Sequence, residues 1–172
     1  SNLVNNSGVV AADVTGVGTA RRQLAAVSYG SDKAIFGYGT PDTSITNLVS
    51  NIGVVGSDVT GVGTARYGLA AASYDGDKAI FGYGYAGGNV SLTNLVSNSG
   101  VVATDVTGVG TARAYLSAVG YGGDKAIFGY GEVIGNVSLT NLVSSSGVVA
   151  ADVTGVGTAR RELAAAGFSL NA

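Results

Sequence analysis

The nonapeptide Asp-Val-Thr-Gly-Val-Gly-Thr-Ala-Arg occurs four times without a substitution, at 13–21, 58–66, 105–113 and 152–160. Such repetition constrains a fold more than any local propensity, because each copy must be one structural unit that buries its apolar face against its neighbours. The closing arginines Arg21, Arg66, Arg113 and Arg160 give spacings of 45, 47 and 47 residues. Other markers keep step: Asn2, Asn47, Asn94 and Asn141 each begin Asn-Leu-Val, and Asp32, Asp77 and Asp124 each begin Asp-Lys-Ala-Ile-Phe-Gly-Tyr-Gly. The shorter first period is explained between Gly39 and Asn47, where seven residues replace the nine between Gly84 and Asn94. A length change confined to one segment marks a surface loop. The chain therefore reads as one repeat domain: a partial repeat 1–20, repeats 21–65, 66–112 and 113–159, and a terminal strand 160–172.

Within one period, the small apolar stretch Tyr67–Tyr74 is broken by Asp75-Gly76-Asp77 and followed by Lys78–Tyr85. Asp-Gly between two apolar runs predicts a hairpin, since both residues tolerate positive φ in a tight turn. A variable loop Ala86–Thr93, a run Asn94–Ser97, a Ser-Gly break at 99–100 and the β-branched Val101–Val106 complete the period. Four short antiparallel strands per period are expected. Leu69–Ala72 also has good helix propensity, but the turn and glycines around it leave room for only about two helical turns. Small side chains suit a crowded inner strand equally well.

Four strands every 40–50 residues is the period of a β-propeller blade. The repeat resembles a Kelch blade: an arginine opens an apolar strand, a turn follows, and a second apolar strand ends in glycines. Gly-Tyr-Gly at 37–39, 82–84 and 129–131 stands where Kelch repeats generally carry adjacent glycines, and the tryptophan usual late in such a blade is absent. The tandem copies of Asn-Leu-Val-Ser, Gly-Thr-Ala-Arg and Asp-Lys-Ala-Ile-Phe-Gly-Tyr-Gly also resemble repeat regions of bacteriophage structural and tail-fibre proteins. These resemblances imply an all-β, propeller-like fold of four-stranded blades of about 47 residues. They also imply a place outside the cell or on a virion surface.

Four copies of Gly-Thr-Ala-Arg accompany only three of Ile-Phe-Gly-Tyr-Gly, so a fourth blade would lack its second strand. The strands expected at Asn2–Ser7 and Leu163–Phe168 are then open edges, and open edges invite pairing with another chain. A homo-oligomer, or contact with neighbouring subunits of a larger assembly, is the expected partner state. Ser1 in place of a methionine implies processing or excision from something larger, which leaves secretion open.

Composition excludes more than it assigns. The chain has no His and no Cys, which removes the commonest general base, the thiolate nucleophile and nearly every zinc, copper or haem ligand set. Disulfides are absent with the cysteines. Charged residues are 12% and the net charge is −2, so no basic field exists to hold nucleic acid. No apolar run approaches the roughly 20 residues of a membrane span.

The glycine motif is not a phosphate loop: Thr-Ala-Arg follows its second glycine where a P-loop needs Lys and Ser or Thr, and it leads from strand to strand. As connectors these glycines supply positive φ. Asp13, Asp58, Asp105 and Asp152 are either turn formers or, if they converge, ion ligands; one carboxylate per period does not make a local calcium site. The arginines either form a basic ring or pair with the neighbouring Asp. Asp32-Lys33, Asp77-Lys78 and Asp124-Lys125 read as exposed turns with weak ion pairs. Tyr38, Tyr83 and Tyr130, each between glycines, are the ligand-contact candidates, because an unflanked ring can present its face to a sugar or receptor. Packing between repeats, with the hydroxyl at the rim, is the competing reading.

These observations predict no enzyme, no catalytic residue, no metal and no cofactor. The expected function is a structural or attachment module, with a lectin-like glycan or receptor binder using the variable loops as the alternative.

Overall fold

The computed structural model describes residues 2–167. It is all-β: nine strands, and no helix among the described residues. The strands are β1 (Ala25–Tyr29), β2 (Lys33–Gly37), β3 (Thr46–Val49), β4 (Ala70–Tyr74), β5 (Lys78–Gly82), β6 (Thr93–Val96), β7 (Ser117–Tyr121), β8 (Lys125–Gly129) and β9 (Thr140–Val143). They form three separate antiparallel sheets, β1-β2-β3, β4-β5-β6 and β7-β8-β9, one per repeat. Leu69 precedes β4 and Ala70–Ala72 lie within it, so the small apolar run is a strand.

Each hairpin is set by its turn. Asp75 and Gly76 both take positive φ (52° and 73°), which brings Tyr74 opposite Lys78 and fixes the register Ala72↔Ile80 and Ala70↔Gly82. Gly30-Ser31 and Gly122-Gly123 do the same in the other two repeats.

The expected four-stranded blades are instead three-stranded sheets, and the described residues close no ring. The β-branched run after each third strand touches it at only two bridges, Val96↔Val102 and Thr93↔Val106 in the second repeat. These bridges differ by one residue in register, so three residues of the outer run oppose two of β6. That is a β-bulge. Its cause is visible: the side-chain amide of Asn94 donates to the Ala103 carbonyl at 3.0 Å and takes a place in the ladder that a backbone amide would hold. Asn47 and Asn141 repeat the arrangement. The edge expected at Asn2–Ser7 forms only the bridge Val4↔Val10. At the other end 163–167 is irregular, and Phe168 lies outside the described residues.

Consecutive sheets pack on one another, β1 against β4 and β5, and β4 against β7 and β8. Alanines at positions 70 and 72 face this junction and are buried, which lets the sheets approach closely. Phe81 and Phe128 are fully buried, each stabilising its junction by about 2 kcal/mol from apolar burial. The Phe81 ring lies over Gly37, where an added Cβ would stand 2.7 Å from it, and the Phe128 ring lies over Gly82, with 2.6 Å to an added Cβ. Gly37 and Gly82, the glycines before Tyr38 and Tyr83, are therefore the notches that receive the phenylalanine of the next repeat.

Candidate functional site

At each interior junction one buried arginine gathers groups from two repeats. Arg66 follows the connector Gly61–Ala65 and leads toward β4; its side chain is fully buried. Nε donates to the Tyr83 carbonyl at 2.9 Å, Nη1 to the Thr64 carbonyl at 3.1 Å and Nη2 to Asn94 Oδ1 at 2.6 Å. The guanidinium carbon lies 4.3 Å from the centre of the Tyr38 ring, which belongs to the preceding repeat. Tyr38 meets Phe81 edge-on at 5.2 Å, and its hydroxyl donates to the Val62 carbonyl at 3.1 Å. Arg113, Tyr83, Phe128 and Asn141 reproduce the set one repeat later.

The acid of the motif completes this clasp. Asp105 accepts from the Thr64 amide and hydroxyl, the latter at 2.6 Å, and from Asn94 Nδ2 at 2.9 Å. Its distance to Arg66 Nη1 is 3.8 Å, an ion pair without a hydrogen bond. Gly63 makes the approach possible. Its φ is +75°, and an added Cβ would lie 2.3 Å from Asp105 Oδ1. The repeated glycine loop is thus a carboxylate-capped connector built from the chain's own aspartate.

Burial governs the titration of these groups. It lowers the Arg66 guanidinium, against the opposing influence of Tyr38 and Asp105. It pushes the Tyr38 and Tyr83 phenols up to about 12, with the arginine above each ring pulling the other way. At Asp105, burial acts upward, but the hydrogen bonds from Thr64 and Asn94 and the charge of Arg66 together hold the carboxyl below its ordinary range.

Tyr38 and Tyr83 do not present their rings to solvent: both are completely buried and serve the packing between repeats. Each takes φ near +64°, a left-handed conformation costly for a tyrosine, held here by the arginine and phenylalanine around the ring. Tyr130 has the same backbone, lies 4.2 Å under Arg160 and is half-buried. The arginines form no shared basic ring: Arg21, Arg66 and Arg113 each pair with a different aspartate, and Arg160 is exposed. Among the described residues no three carboxylates gather to hold a metal ion. Asp13, Asp58, Asp105 and Asp152 each bond the asparagine of their own repeat. At the turns Lys33 pairs with Asp32 and Lys125 with Asp124, whereas Lys78 turns to Asp75 and leaves Asp77 to accept from Asn98 Nδ2.

The residues that differ between repeats come together at one edge of the sheets. The bridges Arg22↔Thr40, Tyr67↔Tyr85 and Ala114↔Glu132 join the variable position after each clasp arginine to the start of each variable loop. Tyr67 lies at the centre of a half-buried aromatic cluster, 5.3 Å from Tyr85 and 6.5 Å from Tyr115. Asn89 reaches from the second repeat to the Glu132 and Val133 carbonyls of the third, and Arg161 pairs with Glu132. Sequence reasoning singled out the repeated tyrosines and passed over Tyr67, Tyr85 and Tyr115. Their signal was available in reverse: they stand at positions where the copies disagree.

A second exposed set repeats faithfully. Val9, Val54, Val101 and Val148, at the bulged outer runs, are 59–66% exposed. Comparison with protein-family models finds no match, and comparison with curated proteins finds no relative.

Proposed function

We propose that the chain is a non-catalytic structural or attachment module whose repeats stack sheet on sheet. The observation that carries this is the clasp: Arg66 and Arg113, Asn94 and Asn141, Asp105 and Asp152, and Tyr38 and Tyr83 are all consumed in joining one repeat to the next. The exposed valines repeated along the outer runs suit packing against other subunits or further copies. With its resemblance to Kelch-like and phage-fibre repeats, the module fits an appendage on a virion or outside a cell.

A second reading is a glycan or receptor binder. It is favoured by the Tyr67, Tyr85 and Tyr115 cluster at the variable edge, since tyrosines offer contact area at low entropic cost. Light scattering and a glycan array separate the two. Large assemblies without glycan binding support the structural module. Binding that Tyr85→Ala abolishes, with thermal stability unchanged, supports the binder.

A further inference from the structure

The clasp of the first repeat is missing one component. Arg21 donates through Nη2 to Asn47 and pairs with Asp58 at 3.7 Å, as its counterparts do. Its side chain is 4% exposed, yet Nε and Nη1 have no hydrogen-bond partner among the described residues. Arg66 and Arg113 bond both groups, to the Tyr83 and Thr64 carbonyls and to the Tyr130 and Thr111 carbonyls. The counterparts at Arg21 are Tyr38 and Thr19, so what this clasp lacks is the ring that lies on the guanidinium at the interior junctions. Beside Arg21 lies a mainly apolar cavity of about 330 Å³, lined by Leu3, Val17, Thr19, Leu24 and Phe36 among others. Phe36 is partly exposed, whereas Phe81 and Phe128 are fully buried.

The interior junctions show what such a space holds. There a tyrosine ring lies under the arginine, edge-on to the phenylalanine, with its hydroxyl on the valine carbonyl of the connector. Arg21, Phe36 and Val17 are the corresponding three residues, and all three line the cavity. The edge that would accompany the ring is present as well. Second strands pair with third strands as Phe81↔Asn94 and Ile80↔Leu95; Asn2 and Leu3 are the equivalent residues of the first segment, and both are exposed.

We propose that this cavity is a socket for the tyrosine of an Ile-Phe-Gly-Tyr-Gly strand, delivered by a further repeat unit of this same type that adds its strand beside Asn2 and Leu3. The inference rests on the repeats acting as packing units, and it names the partner those units accept. The ring supplies a face for the Arg21 guanidinium and an edge for Phe36, and the strand supplies backbone pairing for an open edge.

The test uses the 172-residue chain and a synthetic hairpin of residues 66–92, titrated by calorimetry beside a hairpin carrying Tyr83→Leu. Saturable one-to-one binding, weakened at least tenfold by the leucine, is expected. Equal binding by both hairpins overturns the socket. To remove dependence on the free peptide folding, the same 27 residues are also joined ahead of Ser1, with tyrosine or leucine at the corner. The tyrosine form is expected to melt higher and to slow exchange of the Arg21 guanidinium protons, whose face the ring covers. Identical melting and exchange in the two joined forms, with or without peptide binding, overturn the proposal, while the assembly and glycan results stand apart from either outcome.

Discussion

Arg66 lies on the Tyr38 ring at 4.3 Å although the two residues belong to different repeats, and the same relation holds between Arg113 and Tyr83. A desolvated guanidinium over an aromatic face is a favourable contact, but its larger role here is geometric: the planar fork holds two carbonyls and an asparagine oxygen at once. Lysine has no such fork. Arg66→Lys should destabilise the fold by about 2 kcal/mol and Arg66→Ala by about 3 kcal/mol, since each lost charge-assisted bond leaves a buried acceptor unpaired. Arg160→Ala should cost under about 1 kcal/mol, because Arg160 is exposed and the one hydrogen bond its side chain makes among the described residues is a 3.4 Å contact to the Thr158 carbonyl. Urea denaturation of the three variants checks the ordering.

The phenylalanine notch gives a second contrast within one sequence motif. Gly82→Ala places a Cβ 2.6 Å from the Phe128 ring, whereas Gly129→Ala meets nothing nearer than Thr140 Cγ2 at 3.4 Å. The first should cost about 1–3 kcal/mol by overpacking and the second should stay within about 0.5 kcal/mol. Thermal melts of the pair, with a shift for Gly82→Ala alone, are the expected result.

Alkaline unfolding should follow the buried phenols. Tyrosine in the unfolded chain ionises near 10, while Tyr38 and Tyr83 are raised to about 12. The folded state therefore keeps protons that the unfolded state has lost, and stability is full below pH 10 and falls as pH rises toward 12, by about 2 kcal/mol for each residue. Tyrosinate absorbance should show a late component that coincides with loss of the β-sheet signal, and Tyr83→Phe should halve it.

At the acid side the sign reverses. Asp58, Asp105 and Asp152 are held below the ordinary carboxylate value of 3.8, with Asn47 and Thr19, Thr64 and Asn94, and Thr111 and Asn141 as the respective donors. As pH falls the unfolded chain takes up these protons first, so stability present above about pH 4 is lost progressively below it. Asp105→Asn should flatten that loss in a pH series of urea midpoints while lowering stability at pH 7.

The sequence by itself determined the unit of construction, its length and its hairpins. The period is written in the spacing of Arg21, Arg66, Arg113 and Arg160, and Asp75-Gly76 specifies a turn through its own backbone preferences, which act over a few residues. What only the tertiary structure decided are the contacts made across repeats. Tyr38 between two glycines reads equally well as an exposed platform or a buried wedge; Phe81 and Arg66, from the next repeat, bury it. Val101–Val106 reads as a fourth strand, yet Asn94 inserts its side-chain amide into the ladder and leaves a bulge. The aspartate of the motif reads as the partner of an arginine in the neighbouring repeat, and Asp105 does pair with Arg66 at 3.8 Å. That its closest bonds go instead to Thr64 and Asn94 only the structure decides, because a carboxylate beside three hydrogen-bond donors satisfies those before a guanidinium already held by carbonyls. Local backbone chemistry is legible in a string of residues; which side chain fills a space between two sheets depends on how the sheets stack, and that is settled by packing.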